Sequence, residues 1–485
     1  MTIVYTPTDQ RKEVPLVESA STRAQYGAEL ECQPFFVDLS ILPASQTDHL
    51  RETGLLDPTD ASSTDICLLR VQHIQYLSQV WTKNLRPSFV SLDASRPWIL
   101  YWCLHGCDLL GHMPTIVECQ GIVSTLAACW STTTIRLPRQ LVAQDPFLSR
   151  SVSNAKDTTG AAVVEEVELV GGGFGGGPGQ LPHAATTYAA VLALCILATS
   201  DNSSTAAAAY ALLESKRLHL YPWLLSLKDT ATASFRMHHD GEVDVRATYT
   251  VLTVAGLLNI STNSLTTRAI EYVAACQTFE GGFGGEPDRE AHGGYSFCAT
   301  AAVQLLNGWS SVDVAALTGW LARRQMSFEG GFNGRSNKLV DGCYSFWQGG
   351  ALAIVSKLYS ADASVQGGPD PWLQEATKPS TTATREDTTY DDLLFDQGML
   401  QRYILLCAQD VHGGLRDKPS SFRDFYHSCY NLSGLSVTQY GRSSGAPAFG
   451  HAQLSRVAQT HPVYNIRIDR VSKVLAHFSE LGLPK

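Results

Sequence analysis

The chain has 485 residues, of which 44% are hydrophobic and 17% charged, as in a water-soluble globular protein with one large core or two to three domains. Its net charge of −10 disfavours a chain-wide affinity for nucleic acid or anionic membranes. No apolar stretch approaches the about 20 residues of a spanning helix, and the amino terminus lacks a signal peptide's apolar run. Twelve cysteines in such a chain predict free thiols and a cytoplasmic location, without integral membrane insertion.

Three regions differ in their pattern. Residues 1–60 are polar and weakly periodic, so we expect a partly disordered, loosely ordered segment. Helical periodicity from 61 to 485 predicts a single all-α domain, because strand-like alternation is rare. Within it, residues 360–394 break the pattern with the run PSTTATREDTT, which predicts a flexible surface insertion.

A glycine-rich loop followed by an aromatic-bearing apolar helix recurs five times along the domain. The loops are GGGFGGGPGQ from Gly171, HHDGEVDVR, FEGGFGGEPDREAHGG, FEGGFNGRSNKLVDGC and VHGGLRDKPSSFRDF. Second helices are predicted between them at 265–277, 312–325 and 395–409. Any one loop is typical of a simple turn, but the recurrence favours stacked helical hairpins. We therefore predict an α/α toroid, a barrel of about six hairpins whose inner and outer helix rings bring the loops to one mouth.

The triplet Asp341-Gly342-Cys343 directly precedes a predicted helix. A helix amino terminus favours a thiolate, and a thiolate beside a carboxylate suits zinc. His427 occupies the matching position of a later repeat, so the three side chains could share one ion and leave its fourth position open. The triplet alone is a weak metal signal, because most Asp-x-Cys triplets are ordinary turns.

A second cluster is basic. Arg335 and Lys338 precede Asp341, and His292 lies in the equivalent loop one repeat earlier, with Tyr344 adjacent. Such groups can hold a phosphate or diphosphate, although an Arg/Lys pair is also typical of a solvated surface. The aromatic residues of the inner helices form either core or the lining of an apolar pocket. Together the three features indicate attack of a metal-bound thiolate on an allylic diphosphate.

Several motifs closely resemble the β subunits of protein farnesyltransferases: FEGGFNGRSNKLVDGCYSFWQ, EAHGGYSFC, GEVDVRATY, LDASRPWILYW, GGGPGQLPH and LRDKPSSFRDFYHSCYNLSGLS. The resemblance covers residues from about 65 to about 440. It implies a catalytic β subunit that transfers farnesyl from farnesyl diphosphate to the cysteine thiol of C-terminal CaaX motifs. It also implies a heterodimer with an α subunit, which supplies part of the site.

The resemblance further implies a role for each matching residue. The implied zinc ligands are Asp341, Cys343 and His427, and Asp417 would help to place magnesium on the diphosphate. The implied diphosphate-binding residues are His292, Arg335, Lys338 and Tyr344. The implied isoprenoid wall consists of Arg246, Tyr249, Tyr295, Cys298 and Trp347. The implied peptide-binding residues are Trp98, Trp102, Tyr426, Ala94, Ser95 and His183. Thr186 replaces an expected proline, which leaves the preferred last CaaX residue open.

Three other functions would use a similar fold. A geranylgeranyltransferase type I β subunit shares the expected fold and zinc site, but Trp98 would fill the space of a fourth isoprene unit, and Asp417 stands where that enzyme is expected to carry lysine. A terpene cyclase would need a DxDD run, which the sequence lacks. A non-catalytic scaffold would be expected to have a broken triad or basic cluster, and both sets of residues are intact.

Overall fold

A computed structural model describes residues 19–36, 42–60, 62–83, 85, 87–149, 166–359, 370, 372–373, 393–440 and 449–482. The α-helices are α1 Ala20–Cys32, α2 Ala44–Glu52, α3 Arg70–Thr82, α4 Arg96–Leu109, α5 Ile116–Ala128, α6 Arg139–Gln144, α7 Ala184–Ala198, α8 Ser203–Ser226, α9 Val245–Leu257, α10 Asn263–Thr266, α11 Ala269–Ala275, α12 Gly293–Leu305, α13 Val314–Ala322, α14 Tyr344–Tyr359, α15 Gln397–Arg402, α16 Phe425–Gln439 and α17 Ile468–Leu481. Short 3₁₀ turns cover Gln33–Phe35, Pro87–Ser95 and Trp309–Ser311, and a π-helix covers Tyr403–Ala408.

Six of the helices form a closed inner ring. In order, α4, α7, α9, α12, α14 and α16 each pack on the next, and α16 packs back on α4. The helices α3, α5, α8, α11, α13 and α15 lie outside them. The inner helices are almost entirely apolar or small, as α7 illustrates with fourteen buried residues, because they are covered on both sides. The predicted α/α toroid of about six hairpins is confirmed.

Backbone hydrogen bonds join each loop to the following one. The first amide of an inner helix donates to a carbonyl in the next glycine-rich loop, at 2.7–2.9 Å: Arg96 to Gly176, Ala184 to Met237, Val245 to Gly285 and Gly293 to Gly334. Gly342, two residues before α14, donates to Asp417 in the same way at 2.9 Å. These bonds satisfy amides that a helix start leaves unpaired. They also hold the loops of successive hairpins together at one mouth of the ring.

One two-stranded sheet was not predicted. Strand β1, Trp130–Pro138, pairs antiparallel with β2, Glu166–Phe174, with Trp130 opposite Phe174. The expected loop from Gly171 therefore begins inside a strand. A Cβ on Gly172 would lie 2.5 Å from the Ser131 carbonyl oxygen, so the glycines that look like turn residues here permit close strand pairing.

The outer helices are shorter than predicted. The expected helix at 265–277 is split into α10 and α11, because Arg268 between them has a φ of 60°. The helix expected at 312–325 covers only Val314–Ala322. The one expected at 395–409 begins at Gln397 and changes to a π-helix at Tyr403. Asp313 and Asp396, which fall inside two of the predicted helices, serve instead as the N-caps of α13 and α15.

Two regions expected to be loosely ordered are partly anchored. Within the described part of residues 1–60, Ser19 caps α1 and α2 follows it, whereas residues 1–18 and 37–41 lie outside the described residues. In the 360–394 insertion, Trp372 is buried, and Asp370 accepts a hydrogen bond from the buried His461 at 2.9 Å. Residues 360–369, 371 and 374–392 of the insertion lie outside the described residues.

All twelve cysteines are free and buried, which confirms the prediction of free thiols. Across the ranges that the structure describes, the helices are too short or too polar to cross a membrane. One continuous hydrophobic core extends from Cys32 near the amino terminus to Phe478 in α17.

Candidate active site

Three metal-ligating side chains meet at the mouth of the ring. The donor atoms of Asp341, Cys343 and His427 all lie within 4.8 Å of one another. Asp341 and Cys343 precede α14, and His427 lies in the first turn of α16, the neighbouring inner helix. The position between the two ligands requires glycine, since a Cβ on residue 342 would come within 2.5 Å of the Asn431 side chain. The structure therefore brings together the three residues that the matching positions of the repeats had predicted to share one ion.

Asp424 orients the His427 imidazole. As the N-cap of α16, Asp424 accepts the His427 backbone N–H at 2.7 Å, and its second oxygen accepts the ring Nδ1–H at 2.6 Å. The other ring nitrogen, Nε2, lies 3.2 Å from Asp341 Oδ1. A carboxylate behind a metal-ligating histidine is the usual arrangement in zinc sites. Sequence reasoning missed Asp424, although its position three residues before His427 is a capping signal.

The protonation of the triad differs from the expectation. Burial, followed by the charge of Asp341, raises the pKa of the Cys343 thiol well above its usual value, so the helix start does not by itself give a thiolate. Burial lowers the pKa of His427, but hydrogen bonds to Asp341 and Asp424 outweigh it and raise the pKa to about 10. A buried sulfur, an imidazole nitrogen and a carboxylate form a set of ligands that fits zinc. A bound zinc ion can displace the protons of the Cys343 thiol and the His427 imidazole.

The predicted basic residues line one cavity beside the triad. His292, Arg335, Lys338 and Tyr344 surround a space of about 270 Å³ that Asp341 also borders. Arg335 pairs with Glu290 at 2.8 Å, and Lys338 is exposed. A Cβ on Gly334 would come within 2.1 Å of the Tyr344 ring, so this glycine allows the ring to lie against the loop. Lys418 also lines the cavity, and sequence reasoning did not assign it.

His292 and Tyr344 form a directed pair in this basic cavity. The Gly294 backbone N–H donates to His292 Nδ1 at 3.1 Å, so the neutral ring carries its proton on Nε2. That nitrogen lies 3.0 Å from the Tyr344 hydroxyl and donates to it. Burial and then Arg335 lower the pKa of His292, which keeps the ring neutral at pH 7. The Tyr344 O–H proton is thus left to donate to an anion in the cavity.

Aromatic rings on the inner helices pack against one another inside the ring, where the sequence predicts a pocket wall. Trp98 stacks on Trp102 with ring centroids 5.5 Å apart and contacts Tyr188 at 5.7 Å. Tyr426 lies 5.5 Å from Trp102 and accepts a hydrogen bond from Trp347 Nε1 at 3.0 Å. The wall continues through residues of the inner helices that include Tyr188, Tyr249, Phe297, Trp347 and Tyr430. Tyr188 and Tyr430 were not among the predicted site residues, although both lie on helices that begin at predicted loops.

The remaining predicted wall residues lie on the same helices. Cys298 is buried on α12, one turn beyond Tyr295. The Tyr249 hydroxyl is buried, with Tyr188 Oη at 3.1 Å and the Val463 carbonyl at 2.7 Å. The Arg246 guanidinium is bound by Asp244 and lies 5.5 Å from the Tyr295 ring centre, so it adds a charge at the edge of the wall.

A second cavity lies on the α4 and α7 side of the mouth. Ala94, Ser95, Trp98 and His183 line it, and its volume is about 610 Å³. His183 caps α7 by accepting the Ala185 N–H at 3.1 Å, and His238 lies next to it, with ring centroids 5.4 Å apart. Burial and then His238 lower the pKa of His183. Thr186, the departure from the expected proline, also lines this cavity.

The ring of six helical hairpins, with a zinc-type triad and a basic cavity at its mouth, is the arrangement of a class of enzymes, the α/α-toroid prenyltransferases. The family model of the prenyltransferase alpha-alpha toroid domain matches residues 68–466. A solved structure, the Candida albicans protein geranylgeranyltransferase-I complexed with GGPP, aligns with a TM-score of 0.54 at 18% identity. The alignment covers 85% of this chain and 99% of that chain. At this identity the alignment shows the fold alone.

Curated relatives narrow the class. The protein farnesyltransferase β subunit of Arabidopsis thaliana is 36% identical, with 91% of each chain covered. That of Schizosaccharomyces pombe is 34% identical, over 84% of this chain and 90% of the relative. The geranylgeranyl transferase type-1 β subunit of Arabidopsis thaliana is 26% identical over 55% of this chain. The chain belongs to the protein farnesyltransferase β-subunit family of the α/α-toroid prenyltransferases.

Proposed function

We propose that this chain is the catalytic β subunit of a cytoplasmic heterodimer that transfers farnesyl from farnesyl diphosphate to the cysteine thiol of C-terminal CaaX motifs. The observation that carries the proposal is the convergence of Asp341, Cys343 and His427 donor atoms within 4.8 Å, at the edge of the basic cavity. Three protein ligands leave a tetrahedral ion one position for a substrate. Membership of the farnesyltransferase β-subunit family supports the same reaction.

Zinc, when bound, would keep a thiol ionised at neutral pH. The substrate sulfur then attacks the first carbon of the isoprenoid, a C–S bond forms, and the C–O bond to diphosphate breaks. Charge grows on the leaving oxygens, where the Tyr344 hydroxyl, Arg335 and Lys338 can donate hydrogen bonds. His292 fixes the Tyr344 proton in the direction of the cavity.

The aromatic lumen suits the farnesyl chain. Tyr249, Tyr295, Cys298 and Trp347 lie on inner helices that face the lumen, with Arg246 at its edge. Trp98 is stacked on Trp102, and its ring would occupy the space of a fourth isoprene unit, which supports a fifteen-carbon chain over a twenty-carbon one. The cavity of Ala94, Ser95, Trp98 and His183 would read the last CaaX residue, with Tyr426 and Trp102 against the preceding apolar residue.

Asp417 fits a role in placing magnesium. Its Oδ1 atom is buried and has no hydrogen-bond partner among the residues described, while Oδ2 accepts from Lys418 and Ser421. A buried carboxylate oxygen without a partner is costly unless a ligand satisfies it. Magnesium prefers such oxygen ligands together with phosphate oxygens.

We also propose a domain division: a peripheral segment at 1–60, one barrel domain at 61–485 and an insertion at about 360–394. The continuous hydrophobic core supports one domain.

The test is co-expression of this chain with a farnesyltransferase α subunit. The heterodimer would be assayed with farnesyl and geranylgeranyl diphosphates on CaaX peptides ending in Ser, Met, Gln and Leu. We expect about one zinc per heterodimer and a clear preference for farnesyl. A preference for the longer donor, or no transfer by a zinc-loaded complex, would contradict the proposal.

A further inference from the structure

Lys418 lies between the Asp417 carboxylate and the basic cavity at the mouth of the ring. Its ammonium donates to Asp417 Oδ2, and its side chain lines the basic cavity with His292, Arg335 and Tyr344. Both members of the ion pair are mostly buried, since the Lys418 and Asp417 side chains are 20% and 19% exposed. Lys418 therefore contacts the carboxylate proposed for magnesium and the space proposed for diphosphate.

The charges around Asp417 need a positive partner. Asp417 and Asp341 are two carboxylates on adjoining loops of the mouth, and Asp341 also borders the cavity that Lys418 lines. The loops that carry them are joined by the bond from Gly342 N–H to the Asp417 carbonyl, so the carboxylates cannot separate freely. A diphosphate entering the cavity adds further negative charge. Two or three anions in a partly buried site repel one another unless cations lie among them.

We propose that Lys418 is the resident counter-ion of Asp417 and stands in for the divalent cation until that cation arrives with the diphosphate. The inference rests on the proposed function and adds a positioning residue to it. Lys418 neutralises Asp417 when magnesium is absent, so that diphosphate can enter. The same ammonium competes with magnesium for the carboxylate and so raises the magnesium concentration that the enzyme needs. Oδ1, which has no partner in the described structure, is the oxygen at which the exchange can begin.

The test uses the heterodimer with Lys418→Gln, the charge-preserving Lys418→Arg, and Lys473→Gln on the exposed face of α17 as the matched control. Affinity for farnesyl diphosphate is measured with no added divalent cation, and Mn²⁺ binding to the farnesyl diphosphate complex is measured by electron paramagnetic resonance. For Lys418→Gln we expect about three- to tenfold weaker metal-free binding and Mn²⁺ binding tighter by a similar factor, the range for a partly shielded ion pair. Lys418→Arg and Lys473→Gln should resemble the parent protein in both.

Unchanged or weaker Mn²⁺ binding in Lys418→Gln would overturn the inference. If Lys418→Gln does not retain zinc, Asp417→Asn provides a second test of the inference. Removing the carboxylate leaves the ammonium free to face the diphosphate, so metal-free farnesyl diphosphate should bind several-fold tighter, and unchanged or weaker binding overturns the inference. A parent heterodimer that binds no farnesyl diphosphate would instead refute the proposed function, so the two failures are distinguishable.

Discussion

The metal triad and the adjacent basic cavity hold their charges in different ways. In the triad, both nitrogens of His427 have carboxylate partners, and Asp341 accepts the Cys343 backbone N–H at 2.9 Å. In the cavity, the Arg335 side chain is 37% exposed and pairs with a glutamate that is 52% exposed. The side chains of the triad are therefore held by buried partners before any ligand binds, whereas Arg335 in the cavity is held only by an exposed ion pair that an entering anion can replace. Substitutions in the triad should act on metal binding, and those around the cavity and lumen on the substrates.

The largest effect is expected from Cys343→Ala. Losing the sulfur leaves two protein ligands, so zinc should fall from about one per heterodimer to near zero, measured by elemental analysis. Farnesyl transfer should fall by more than the roughly 10–100-fold that loss of an outer partner costs. Cys298→Ala on α12 is the matched control, because it removes a buried lumen thiol away from the triad and should retain zinc. Unchanged zinc in Cys343→Ala would remove the proposed mechanism.

The next effect concerns pH. Without metal, the raised pKa of Cys343 and the pKa of about 10 of His427 keep both groups protonated at neutral pH. Zinc must displace one proton from each, so its affinity should rise with pH by up to about a hundredfold per unit. Calorimetry in buffers of different ionisation enthalpy should show about two protons released per zinc at pH 7. Release of no protons would mean that the two ligands are already ionised.

Asp424 tests the orientation of His427. Asp424→Asn keeps an oxygen to cap α16 but removes the charge behind the imidazole, and zinc affinity should fall about 10–100-fold. Asp424→Ala should lose the same affinity and also cost about 1 kcal/mol of stability, because the cap is lost as well. Chelator competition and thermal unfolding separate the two contributions. Equal zinc affinity in the parent and both variants would show that Asp424 does not act on the metal.

A smaller effect is expected in the lumen. Trp98→Thr removes a ring that stacks on Trp102 and contacts Tyr188, and so opens space for a fourth isoprene unit. The ratio of kcat/KM for geranylgeranyl over farnesyl diphosphate should rise at least about tenfold, since each buried methylene is worth about 0.8 kcal/mol. Trp309→Thr, in the 3₁₀ turn between α12 and α13, is the matched control and should leave the ratio unchanged. No gain in Trp98→Thr would contradict the pocket assignment.

Much of the ring was predictable because its repeat is strong in sequence. Glycine-rich loops recur before apolar helices, and this pattern predicted the inner helices, the common mouth and the meeting of Asp341, Cys343 and His427. The outer helices were overextended, because hydrophobic periodicity does not indicate a break such as Arg268. The β1–β2 pair was missed because its glycines are typical of turns, and only the partner strand reveals that they permit close pairing.

The hydrogen-bond and ion-pair partners of the site residues were harder to predict than the positions of these residues in the fold. The roles of Asp424 and Lys418 depend on which atoms face the triad and the cavity, and spacing alone does not contain that geometry. The thiolate expected at Cys343 was wrong for the metal-free chain, because burial and the adjacent carboxylate outweigh the helix start. The rule that a helix start lowers a thiol's pKa assumes a residue surrounded by water, whereas the closed ring of helices excludes water from Cys343.

The sharing of one metal ion by Cys343 and the substrate thiol is tested most directly by absorption spectroscopy of the cobalt-substituted heterodimer. Thiolate-to-cobalt charge transfer should be present in the free enzyme and increase about twofold when a CaaX peptide binds, as the metal gains a second sulfur in its open position. A peptide with serine in place of cysteine should give no increase. An unchanged spectrum with a tightly bound cysteine peptide would show that the substrate sulfur never reaches the ion.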